Sequence, residues 1–154
     1  MPGCIFCAIA AGEIPSATLY EDGRVVAFLD IKPLAPGHAL VVPKKHAAKV
    51  EDASPEDRHA LMDVAALLTP ILCRETGTRD ATLAFNNGPD AGQEVQHVHL
   101  HIVPRAASDG AGPIHALFDR RPNVSSEEMH DLAVRVQAAV GDGGRARMAK
   151  AGAH

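Results

Sequence analysis

His97-Val98-His99-Leu100-His101-Ile102-Val103 alternates imidazole with aliphatic side chains. A β-strand turns successive side chains to opposite faces, so this spacing predicts a strand over 95–103 with three imidazoles on one face. Val98, Leu100 and Ile102 then turn toward a core. Histidine suits proton transfer, metal ligation and nucleophilic attack near neutral pH. A solvent-facing strand whose polar face happens to be imidazole is the plain alternative, and three uncommon residues in register argue against it. Strand positions two apart lie ~6.6 Å apart and positions four apart ~13 Å. His97 and His101 are therefore poorly placed to share one ion, and the three histidines are expected to divide their roles. A face used only for metal is the competing reading.

The loop before this strand bears on that choice. Asn86-Asn87-Gly88-Pro89-Asp90-Ala91-Gly92-Gln93 offers amide side chains and flexible backbone N–H groups, a concavity suited to phosphate or another oxyanion. The same residues are ordinary turn formers. A second constellation lies at Cys4-x-x-Cys7, whose spacing suits a zinc knuckle, a redox pair or neither. A tetrahedral site needs two more ligands, and His46 and His97 are the best candidates. Cys73, on an apolar helix, reads as a small buried hydrophobe.

Around these motifs the chain reads as an α+β domain with an antiparallel sheet of about five strands and two main helices. Residues 17–21 and 25–30 flank the turn Asp22-Gly23, a hairpin signal. Ala39 to Val42 forms a third strand and Ala81 to Phe85 a fourth. Ser54-Pro55-Glu56 opens a helix with a hydroxyl cap, an early proline and an acidic first turn. Its apolar spacing runs to Gly77, with a kink or early end expected at Pro70. Ser125-x-x-Glu128 is a capping box for a second helix, closed by Gly141, Gly143 and Gly144. Domain limits follow: 1–105 as the catalytic domain, 106–144 as an extension with one helix, and 145–154 as a disordered tail.

Composition narrows the function classes. The chain has 154 residues, 46% hydrophobic and 22% charged, with a net charge of −4, no Trp and three cysteines. That is one soluble-type domain with a Val, Leu, Ile and Ala core, and it argues against binding a nucleic acid polymer. No apolar run approaches the ~20 residues that span a membrane. The start Met-Pro-Gly-Cys-Ile-Phe-Cys lacks the basic and apolar regions of a signal peptide, and three cysteines cannot all pair. A cytoplasmic location with reduced thiols is expected.

The run Gly92-Gln93-Glu94-Val95-Gln96-His97-Val98-His99-Leu100-His101-Ile102-Val103 resembles the signature of the histidine triad (HIT) superfamily. The resemblance spans Cys4 to about Arg105 and includes Phe28-Leu29-Asp30-Ile31, Ala35-Pro36-Gly37-His38 and Pro43-Lys44-Lys45-His46. The N-terminal half is similar to the bacterial Hint branch, whereas Gly88 to Gln93 and the Ser-Glu-Glu-Met helix start are similar to the Fhit branch. The resemblance implies a HIT-like fold and a nucleotide hydrolase or nucleotidyl transferase acting on adenosine 5'-phosphate derivatives. Both phosphoramidate and dinucleoside polyphosphate substrates stay open. It implies that His99 attacks the α-phosphorus to form a nucleotidyl-histidine, with His101 beside it and Asn86, Gly92, Gln93, Val95 and His101 holding phosphate oxygens. Asp30 would accept from the ribose hydroxyls, and Ile5, Phe6, Ile9, Phe28, Ile31 and Leu40 would line the base pocket. A structural zinc on Cys4, Cys7, His46 and His97, no organic cofactor, and a homodimer are implied likewise. Glu94 departs from the serine or threonine of many relatives, and Gln96 from an aromatic residue. The alternatives in other classes are a nucleotide-binding or scaffold module with little turnover, and a zinc protein whose histidine face serves only metal.

Overall fold

The computed structural model describes residues 3–117 and 122–151. Its elements run α1 (Ile5–Ala10), β1 (Thr18–Glu21), β2 (Val25–Leu29), β3 (Ala39–Pro43), α2 (Pro55–Thr76), β4 (Asp80–Ala84), β5 (Leu100–Arg105) and α3 (Ser126–Ala151), with short 3-10 turns between some of them. The five strands form one sheet in the order β1-β2-β3-β5-β4, and every neighbouring pair is antiparallel. The α+β class read from the sequence is the class observed. Residues up to Ala111 make one compact unit, and Gly112 onward makes another, which holds the 3-10 turn Ile114–Leu117 and α3. Among the described residues, no helix is long and apolar enough to cross a membrane.

The sheet buries both faces, which explains the near-continuous apolar runs of β2 and β3. On one face α2 presents Leu61, Val64, Ala65, Leu68 and Leu72 to Val25, Ala27, Ala39, Val41, Leu100 and Ile102. On the other, Phe6 of α1 packs with Val26, Phe28, Leu40 and Val42. That second face carries His101. His101 pairs with Leu40 across β5 and β3, so the pleat sends its ring to the Phe6 side while Leu100 and Ile102 face α2.

Four sequence expectations need correction. The strand expected over 95–103 begins only at Leu100, so His97 and His99 do not share a strand face with His101. Local bonds take these residues out of the ladder: His97 N–H donates to the Val95 carbonyl at 2.8 Å, and Val98 N–H donates to Ala47 at 2.7 Å. The helix α2 does not end at Pro70 but continues to Thr76, capped by Gly77 at φ 69°. Leu68 and Leu72 anchor it to the core on either side of the proline. Proline removes one donor there, and the burial of the flanking leucines outweighs that single loss. Likewise α3 runs through Gly141, Gly143 and Gly144 to Ala151, because glycine weakens a helix by about 1 kcal/mol each without removing a hydrogen bond. Its tail is therefore helical to Ala151, and 152–154 lie outside the described residues. Finally, α1 had no counterpart in the sequence reading.

One turn is set by sterics. Gly37 sits at φ 80°, and a Cβ built on it would lie 2.7 Å from Thr76 Cγ2 and 3.3 Å from Pro104 Cγ. This backbone carries His38 into the site from the β2–β3 connection. We expect Gly37→Ala to cost about 1–3 kcal/mol through strain and overlap, read as a lowered midpoint in urea unfolding. An unchanged midpoint would show that the turn relaxes freely.

Candidate functional site

Two histidine clusters meet at the Phe6 face, and each is assembled from distant segments. The first is a cage of four donors. Cys4 and Cys7 come from the N-cap and first turn of α1, His46 from the segment after β3, and His97 from the bend before β5. Phe6, buried between the two cysteines in sequence, anchors α1 to the sheet. Cys4 Sγ lies 3.4 Å from His97 Nδ1, and Cys7 Sγ lies 3.3 Å from His46 Nδ1 and 3.5 Å from His97 Nδ1. All four donor atoms fall within 4.8 Å of one another. Tetrahedral zinc with ~2.3 Å bonds to sulfur and ~2.0 Å bonds to nitrogen sets its ligands roughly 3.3–3.8 Å apart, so the donor set and spacing fit such an ion. His97 Nε2–H donates to the Pro43 carbonyl at 2.8 Å, which leaves Nδ1 as the lone-pair nitrogen aimed into the cage. Burial, ahead of the neighbouring Cys4 sulfur, pushes the Cys7 thiol up, a tension that a bound cation would relieve.

The second cluster holds His99, His101, His38 and Asp30. His99 is buried, with its ring centroid 5.1 Å from Phe6 and 4.8 Å from His101. Its Nδ1–H donates to the main-chain carbonyl of His97 at 2.7 Å. That bond fixes the tautomer and leaves Nε2 with its lone pair. His38 and His101 are ordered in the same way. Leu34 N–H donates to His38 Nδ1 at 3.0 Å, so the proton of neutral His38 is on Nε2, which faces His101 Nδ1 at 2.9 Å. His101 in turn carries its proton on Nε2. This atom is buried and has no protein partner among the described residues. A buried donor left unpaired costs about 1–3 kcal/mol, so the geometry waits for an acceptor. Burial, reinforced by the neighbouring His99 and His38 and opposed by Asp30, pushes His101 down to about 4. Burial also lowers His38, again opposed by Asp30, whose Oδ2 lies 3.7 Å from His38 Nδ1.

The loop residues expected to hold phosphate divide into two kinds. Gln93 is buried and its amide is fully engaged: Oε1 accepts from Gly88 N–H at 2.8 Å, and Nε2 donates to Ala48 and Val95 carbonyls at 2.7 and 3.0 Å. It braces the loop rather than presenting a free donor. Asn86 is exposed, and Gly92 is exposed at φ 85°. The N–H groups of Glu94, Val95 and Gln96 donate to no acceptor among the described residues. Three consecutive N–H groups are thus free to donate to an acceptor from outside the chain. Val95 packs against the Phe6 cluster, so this stretch borders the His99 side of the sheet.

The apolar candidates divide as well. Phe6, Phe28 and Leu40 are buried in one cluster with Ile9 against it. Ile5 is exposed and Ile31 is 88% exposed. Asp30 is half-buried, and its Oδ1 accepts from Lys32 N–H at 2.8 Å. Sequence reasoning did not assign His38 a role in the site. Its signal was present in Ala35-Pro36-Gly37-His38, where a glycine needing positive φ precedes a buried histidine.

A family model described as HIT domain matches residues 11–108. The chain belongs to the HIT family. It is 42% identical over 102 residues to an adenosine 5'-monophosphoramidase of Schizosaccharomyces pombe, covering 66% of this chain and 74% of that protein. A solved HIT-fold protein of Streptococcus mutans superposes with a TM-score of 0.82 at 34% identity, covering 91% of this chain and 87% of that one. A zinc-bound histidine triad family protein of Mycobacterium smegmatis superposes with a TM-score of 0.66 at 33% identity, covering 89% and 97%.

The HIT histidines carry a stability signature. His101 is protonated less readily when folded than when unfolded, so as pH falls the unfolded chain takes the proton first. Its contribution is full above the ordinary histidine value of 6.5 and is lost as pH falls toward about 4. We expect the urea midpoint to drop between pH 7 and pH 4.5, and to drop less over that interval in His101→Asn. Equal drops in the two proteins would place the sensitive group elsewhere.

Proposed function

We propose that this chain cleaves the α-phosphate bond of adenosine 5'-phosphate derivatives through a covalent nucleotidyl-histidine on His99. The observation that carries the reading is the 2.7 Å bond from His99 Nδ1–H to the His97 carbonyl, which holds the ring in place and leaves Nε2 as the nitrogen available for attack. Attack by Nε2 on phosphorus makes the ring cationic, and the same carbonyl then accepts from a positively charged donor. The bond between phosphorus and the leaving group breaks, its electron pair goes to the leaving atom, and a proton from solvent completes the leaving group. Water next attacks phosphorus and gives up a proton to solvent, the P–N bond returns its pair to Nε2, and the mononucleotide is released.

Non-bridging oxygens would lie against the N–H groups of residues 94–96, with Asn86 at the loop edge. The unpaired Nε2–H of His101 would reach the charge that develops in the transition state. Burial keeps His101 neutral in this role, and His38 holds its tautomer. Asp30 would accept from ribose, and the Phe6, Phe28, Leu40 and Ile9 cluster with exposed Ile5 and Ile31 would meet the base. The likeness to the S. pombe monophosphoramidase favours adenosine 5'-phosphoramidates over other derivatives. His99→Ala should lower turnover by 10³-fold or more, roughly the scale of losing a catalytic nucleophile, while the nucleotide Kd stays within a few-fold. Acid-labile label trapped on the wild-type protein but not on this variant would identify the adduct. Undiminished turnover in His99→Ala would sink the assignment.

The cage of Cys4, Cys7, His46 and His97 would hold one structural zinc. All four positions are filled by protein donors, so none is open to substrate. The zinc-bound M. smegmatis relative supports this reading. Zinc would act on the chemistry only through placement, since His97 offers Nδ1 to the cage and its carbonyl to His99. Metal analysis of tag-free protein should find about one zinc per chain, lost in Cys4→Ser together with thermal stability. Zinc retained in that variant would rule out this donor set.

A further inference from the structure

We propose that Glu94 selects leaving groups that carry a positive charge, so that the preferred substrates are nucleoside 5'-phosphoramidates of amines bearing a second, cationic group. The inference rests on the reading of His99 as nucleophile and adds to it the chemistry of the departing half. Its starting point is an electrostatic mismatch. The N–H of Glu94 belongs with those of Val95 and Gln96 to a run of unpaired donors, yet the same residue carries a carboxylate. The side chain is exposed and makes no hydrogen bond or ion pair among the described residues. The ammonium of Lys49 lies at the far, Gly88 end of the loop, where its Nζ would be 3.6 Å from a Cβ built on that glycine. It forms no ion pair with Glu94. A carboxylate beside phosphate oxygens repels a wholly anionic ligand and suits one that brings its own cation.

The direction of departure places that cation. Displacement at phosphorus sends the leaving group out opposite the attacking nitrogen. His99 is buried against Phe6 and His101, so the side opposite its ring is the solvent side. Phosphate oxygens held by the N–H groups of residues 94–96 would put the leaving group on the solvent side, where Glu94 is exposed. Val95 turns into the Phe6 cluster. Gln96 reaches back to the Gln93 carbonyl at 3.4 Å. Of these three side chains, Glu94 alone is charged. The bonds that form and break are those of the proposed reaction, and Glu94 adds only attraction to the departing group.

The test uses three adenosine 5'-phosphoramidates whose amines have equal length and end in an ammonium, a methyl or a carboxylate group. Wild-type kcat/KM should fall in that order, with about three- to fivefold per step at low salt, the scale of an exposed charge pair. The spread should shrink in 0.5 M NaCl. Glu94→Gln should compress the series toward one, and Glu94→Lys should invert it. The same compounds titrated calorimetrically into His99→Ala and into His99→Ala/Glu94→Gln read the charge preference without turnover. If wild type cleaves none of the three, the nucleophile reading fails, while an ordered Kd series still supports the role of Glu94. A flat Kd series, or a wild-type order that survives Glu94→Gln, overturns the proposal.

Discussion

The bond between His99 Nδ1 and the His97 carbonyl is the constraint on which the site depends. A peptide carbonyl accepts and never donates, so it admits one tautomer of the ring beside it. Position comes with the tautomer: the carbonyl belongs to a residue whose own ring is fully buried and held by Pro43 on one nitrogen and the cage on the other. The His97 N–H also reaches the Val95 carbonyl, which takes a second bond from Gln93. One residue thereby links the sulfur cage, the run of unpaired N–H groups and the His99 ring. The dual role explains why the triad need not share a strand face. His97 works through its main chain, His99 through its ring, and only His101 through strand geometry.

What was legible in the sequence follows from the range of the forces involved. Local signals sufficed for β2, β3 and α2, where apolar runs, Ser54 and Gly77 fix element and ends together. The meeting of Cys4, Cys7, His46 and His97 was legible because two sulfurs and two imidazoles form a donor set that few other purposes need. The start of β5 was not legible, since alternation continues through His97 and His99 while their N–H groups and ring bonds go elsewhere. A period of two is necessary for a strand, but partners decide whether it pairs. The α1 helix escaped notice because six residues carry too little periodicity, and its stability comes from Phe6 docking on the sheet.

The roles of Gln93 and His38 show a further limit. An amide in a glycine-rich loop looks the same in sequence whether it faces a ligand or its own backbone. Here three backbone partners on Gly88, Ala48 and Val95 consume it. His38 lies 63 residues from His101 in sequence, and only the β3–β5 pairing brings them to 2.9 Å. Propensity cannot see that contact. The chemical consequence is large, because the pair decides which nitrogen of His101 carries its proton.

Neutral histidines in a site proposed to take phosphate call for a physical reason, since cations would bind the anion more strongly. Burial supplies it. A cationic His101 would attract the ground-state phosphate and the transition state alike, which tightens binding without lowering the barrier. It would also place a charge beside the His99 ring, 4.8 Å away between centroids. Burial, which holds His101 near 4, keeps it a neutral, directed donor throughout the physiological range. In the proposed reaction, charge selection would be left to exposed Glu94, where any effect is modest and screened by salt. Buried groups would then set the reactivity, and an exposed one the preference.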